Sequence, residues 1–96
     1  MALYVTLWKY TKDGLMEIRK TPKRFEVVKK IINDAGGKLI GIYGLMGKYD
    51  LVTIVDMPND KVAATTILKV CSTGRITSET MPALTIDELL NVMKKV

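Results

Sequence analysis

From Ala2 to Tyr10 the chain alternates two unlike sets of side chains, and that restricts its first element to a β-strand. Leu3, Val5 and Leu7 fall on one side; Tyr4, Thr6, Trp8 and Tyr10 fall on the other. A period of two with β-branched and aromatic residues is the signature of a strand with two distinct faces. The next segments restrict the fold further. Thr11-Lys12-Asp13-Gly14 is rich in turn residues, and Leu15 to Lys20 fits a short helical turn. Thr21 is expected to cap a helix, with Pro22 in its first turn, where a missing N–H is harmless. Phe25, Val28, Ile32 and Ala35 form its apolar stripe, and Gly36-Gly37 supplies the stop.

Lys38 to Met46 and Tyr49 to Met57 read as the second and third strands. The break between them, Gly47-Lys48, has hairpin length, with Gly47 expected at positive φ. Pro58-Asn59-Asp60 ends the third strand and caps a helix whose stripe is Ala63, Thr66, Ile67 and Val70, closed by Gly74. Arg75 to Met81 is a fourth strand, stopped by Pro82. Thr85 and Glu88 stand in the reciprocal positions of a capping box, opening an amphipathic helix through Ile86, Leu89, Leu90 and Met93.

The order is therefore β-α-β-β-α-β plus a C-terminal helix, within a single domain covering residues 1–96. Two split β-α-β units with right-handed crossovers give an α+β, ferredoxin-like fold: an antiparallel four-stranded sheet with both main helices on one face. The other face needs a cover. We expect the Leu3/Val5/Leu7 set beneath the helices, which sends Tyr4, Thr6 and Trp8 to the uncovered side. A second copy of the chain is the most economical cover, giving a homodimer or larger assembly of the dimeric α/β-barrel type. The alternative is the last helix folding back over its own sheet.

Composition removes several classes of function. There is no histidine, the commonest zinc and haem-iron ligand and general base, so neither metal nor cofactor is expected. Cys71 is the single cysteine, which excludes an internal disulfide and fits a reducing cytoplasm. Its place beside Ile67 and Val70 reads as packing. The longest uncharged apolar stretch, Leu39 to Met46, is far shorter than the roughly 18–20 residues of a membrane span, and no secretory signal is read at the start. The net charge is +5, and Arg19, Lys20, Lys23, Arg24, Lys29 and Lys30 cluster around the first main helix. Glu17 and Glu26 interrupt them, and no row of stacking aromatics adjoins them, so a solvated basic face is read in preference to a nucleic-acid surface.

Candidate binding residues are aromatic with a few polar anchors. Tyr4, Trp8, Tyr43 and Glu79, with Arg75 near the rim, would make a small-molecule pocket; the same residue types also suit an interface core. Tyr49 and Asp50 either line the mouth of that pocket or anchor the turn around Gly47. Asp50 and Glu79 are the acids expected to flank the sheet, a pair able to supply acid–base chemistry, although no spacing separates them from two unrelated carboxylates.

Gly47-Lys48-Tyr49-Asp50, followed by Leu51-Val52-Thr53-Ile54-Val55, resembles the GYD-domain family. The likeness extends to Leu3-Tyr4-Val5-Thr6-Leu7, Lys9-Tyr10-Thr11, Thr21-Pro22-Lys23-Arg24, Gly36-Gly37-Lys38-Leu39 and Thr77-Ser78-Glu79-Thr80, nearly the whole chain. The resemblance implies a ferredoxin-like domain of the dimeric α/β-barrel type and supplies no catalytic residues. More distantly, the glycine-x-tyrosine-aspartate element and the final Thr-Ser-Glu-Thr strand are similar to the effector-sensing domain of Lrp/AsnC-type regulators, without their helix-turn-helix. The expected function is a small homo-oligomeric barrel protein binding a small molecule between protomers. The alternatives are a cofactor-free oxygenase or isomerase using Asp50, Glu79 or Tyr49, and a purely structural assembly module.

Overall fold

A computed structural model describes residues 2–96. Strand β1 (Ala2–Tyr10) runs into a short helix, α1 (Lys12–Met16), and a 3-10 turn, Ile18–Lys20. Helix α2 (Thr21–Asp34), strands β2 (Lys38–Gly44) and β3 (Leu51–Met57), helix α3 (Asp60–Cys71), strand β4 (Ile76–Ala83) and helix α4 (Ile86–Met93) complete the order. The sheet is antiparallel with strand order β2-β3-β1-β4, the ferredoxin-like arrangement. No helix among the described residues is long and apolar enough to cross a membrane.

Several boundaries differ from expectation for local reasons. Thr11, read as part of a turn, caps α1: its Oγ1 accepts from Gly14 N–H at 3.2 Å. Thr21 does not cap α2, because the 3-10 turn feeds straight into the helix and Lys20 holds the cap position without a side-chain bond. Its hydroxyl instead meets the Tyr10 hydroxyl at 3.1 Å. Residues 45–50 form a longer connection than a tight hairpin, closed by Leu45 N–H donating to Asp50 O at 2.8 Å. Positive φ occurs at Gly36 (82°) and Gly74 (76°), the two helix stops, and Gly47 does not need it. Pro82 sits inside β4, opposite Tyr4. An edge strand tolerates a missing N–H on its unpaired side, and β4 is such an edge.

The two faces of the sheet are the reverse of the sequence expectation. Tyr4, Thr6 and Trp8, at 4%, 0% and 5% exposure, lie under α2 and α3, while Leu3, Val5 and Leu7 are half-buried on the open side. The helix stripes explain this. Ala63 and Thr66 on α3 are small, and large rings from the strand fill the space beneath them alongside Ile32, Val55 and Met57. Each ring also finds a partner for its polar atom. Trp8 Nε1 donates to Thr53 Oγ1 at 2.9 Å, and Tyr4 donates its hydroxyl to the Asp60 carboxylate. The Thr6 and Thr80 hydroxyls pair at 2.9 Å. Hydroxyls and an indole N–H can therefore be buried with little desolvation penalty.

Helix α4 carries the expected capping box, Thr85 with Glu88. It does not fold back over the sheet: all eight of its residues are exposed, its apolar face Ile86, Leu89, Leu90 and Met93 included.

Candidate functional site

The residues singled out in the sequence separate into three places. On the open face the register sets side chains in rows across the sheet. Tyr43, Val52, Leu7 and Glu79 form one row, and Gly41, Ile54, Val5 and Met81 the next. A third runs from Lys38 through Asp56 and Leu3 to Ala83. The middle of this face is aliphatic. One end is polar: Tyr49 donates its hydroxyl to Glu79, and that carboxylate holds the phenol above its usual pKa. Tyr43, Tyr49 and Glu79 are thus brought to one end of the face, whereas Tyr4 and Trp8 are on the opposite side of the sheet.

Asp50 belongs to the backbone. Its Oδ2 accepts from Tyr10 N–H at 2.8 Å, and its own N–H donates to Trp8 O at 2.8 Å. The side chain thereby satisfies the end of β1 where the ladder to β3 runs out. Asp50 and Glu79 do not form a buried pair, since Glu79 is exposed and bonded to Tyr49.

Arg75 lies away from the open face, in an ionic cluster reached from three segments. Glu17 Oε2 accepts from Arg75 Nε at 3.0 Å and from Arg24 Nη2 at 3.2 Å, while Lys20 Nζ bonds Oε1 at 3.0 Å. Hydrogen bonds from Lys20, Arg24 and Arg75 lower the Glu17 carboxyl to about 2. Three cations against one acid leave the cluster positive. It borders a cavity of about 250 Å³ between α2 and α3, at the end of the sheet where Trp8 and Tyr10 lie. Trp8 and Arg75 therefore do share a pocket, but one beneath the helices. Sequence reading missed Glu17 as its organiser, because 58 residues separate it from Arg75.

A family model described as the GYD domain matches residues 4–93. The chain belongs to the GYD domain family. Among curated relatives of this GYD chain is the glutamine synthetase and cystathionine beta-lyase binding protein of Thermus thermophilus, 27% identical over 95 residues, covering 98% of this chain and all of that protein. The solved structure of FFRP-DM1 superposes with a TM-score of 0.62 at 20% identity, covering 88% of this chain and all of that one. Ribosomal protein S6 of Thermotoga maritima gives 0.55 at 15% identity, with 97% of each chain covered. At these identities the structural neighbours show the ferredoxin-like fold and nothing further.

Proposed function

We propose that this GYD protein is a self-pairing interaction module, in which two copies cover each other's open sheet face and the pair docks other proteins. One observation carries the reading: the aliphatic centre of the open face, Leu3, Val5, Leu7, Val52, Ile54 and Met81, is only partly buried within the protomer, and the apolar side of α4 is exposed as well. Four strands ~4.8 Å apart and about seven residues long at ~3.3 Å each outline roughly 400 Å². A stable pair buries about 800 Å² per partner. The sheet face therefore needs help, and α4 of the opposite copy supplies it in this arrangement. Docking of further proteins is supported by the Thermus relative, whose name gives two enzymes as its binding partners.

A second reading adds a small molecule held between the paired sheets. The Tyr49–Glu79 bond favours it, since it sets a polar anchor at the rim of an apolar face, in the row that Tyr43 closes at the opposite edge. An oxygenase or isomerase built on Asp50 and Glu79 loses support, because the two acids are committed to different partners.

The test uses a side chain that the protomer does not need. Leu90 is 47% exposed, so Leu90→Glu should leave folding intact. Sedimentation at micromolar concentration should show a dimer or larger species for the native protein. The variant should sediment as a monomer with unchanged circular dichroism. A native monomer would overturn the proposal, and a variant that still pairs would remove α4 from it.

A further inference from the structure

We propose that the cavity between α2 and α3 is a binding site for a small apolar monocarboxylate, a fatty or aryl-alkyl acid, distinct from the open sheet face and from the pairing proposed above. Its walls are mostly apolar, with Trp8, Phe25, Ile31 and Val70 among them. Its charged lining consists of Arg24, Lys69 and Arg75, with no carboxylate among the lining residues. That charge balance selects the ligand: a cation would be repelled by three positive heads that Glu17 only partly offsets, and a neutral hydrocarbon would leave the guanidinium donors not turned to Glu17 unused. An acid with an apolar tail satisfies both features.

The guanidinium groups retain donors for it. Arg75 reaches Glu17 through Nε, and Arg24 through Nη2. Each guanidinium carries five N–H donors in a fixed fork, so the nitrogens not turned to Glu17 can take a carboxylate. Glu17 sits outside the cavity lining and holds the two arginines at its edge, fixed in position before any ligand arrives. The Tyr10 and Thr21 hydroxyls, bonded to each other at 3.1 Å, add a further polar edge to the wall.

Volume limits the tail. A cavity of ~150 Å³ accepts benzene. On that scale a cavity of about 250 Å³ takes roughly ten non-hydrogen atoms. Octanoate and 3-phenylpropanoate have that size, and long-chain fatty acids exceed it.

Trp8, the single tryptophan, lines the cavity and reports on it. Octanoate, 3-phenylpropanoate and their primary amides would be titrated into the full-length protein, following Trp8 emission and the single indole N–H resonance. The expected result is saturable binding of the acids and affinity for the amides weaker by about tenfold or more, the scale of a charge-assisted hydrogen bond. Arg75→Gln should reduce acid binding toward that of the amide and lower amide binding by less than it lowers acid binding. The comparison of acid with amide needs no variant, so it stands if Arg75→Gln fails to fold. Equal affinity for acid and amide would overturn the proposal, as would no saturable response of Trp8. Sedimentation of the same samples reads pairing separately, so the two proposals can fail independently.

Discussion

Trp8 Nε1 donates to Thr53 Oγ1 at 2.9 Å, a diagonal bond between β1 and β3 on the helix side of the sheet, at the wall of the cavity between α2 and α3. It joins two buried residues, at 5% and 8% exposure. Thr53→Val keeps the shape and removes the acceptor, leaving an indole N–H unsatisfied. The expected cost is about 1–3 kcal/mol. Trp8→Ala, which also opens a cavity, should cost about 3–5 kcal/mol and lower stability of the whole domain. Urea unfolding followed by circular dichroism measures both; a Trp8→Ala protein of native stability would return the indole to the open face.

Glu17 makes stability depend on pH in a defined window. Its carboxyl is held at about 2, against an ordinary value of 4.5 in the unfolded chain. Between those values the unfolded chain binds the proton and the folded one does not, so stability rises with pH. The contribution is complete above pH 4.5 and lost as pH falls through about 2. Glu17→Gln should therefore be less stable than the native protein near neutrality, with the difference shrinking toward pH 2 in urea unfolding series.

Two glycines should respond to alanine by different amounts. A Cβ on Gly14 would collide with the backbone oxygen of Arg75, where α1 packs against the chain entering β4. Gly14→Ala should cost about 1–3 kcal/mol. At Gly47 nothing lies within 4 Å of the added carbon and φ is not positive. Gly47→Ala should stay within about 0.5 kcal/mol of the native protein by thermal unfolding. A large loss there would mean that the loop packs against something beyond its own protomer.

Periodicity made most elements legible. The first strand spans Ala2–Tyr10 as read, and the α2 and α3 stripes face the sheet core. The Thr85–Glu88 box caps the last helix, a reading that needs only a short run of neighbouring residues. The sense of β1 was not legible, because alternation separates two sets without saying which one meets the helices. That choice rests on Thr53, Thr80 and Asp60, which accept or share the polar atoms of Trp8, Thr6 and Tyr4 from distant parts of the chain. Pro82 misled for a related reason, since an edge position follows from strand order and not from local sequence. Of the candidate site, Tyr49 and Glu79 do meet, whereas Asp50 is taken up by Tyr10 N–H and Arg75 by Glu17.

Pairing through the open face is tested most directly by isotope-filtered NMR on a one-to-one mixture of labelled and unlabelled protein. Val5, Leu7 and Ile54 are half-buried on that face, and Leu89 and Leu90 are exposed on α4. Intermolecular contacts are expected among the methyl groups of Val5, Leu7 and Ile54, and from these to the methyls of Leu89 and Leu90. Intermolecular contacts confined to the outer surfaces of α2 and α3, or none in a sample that sediments as a monomer, would contradict it.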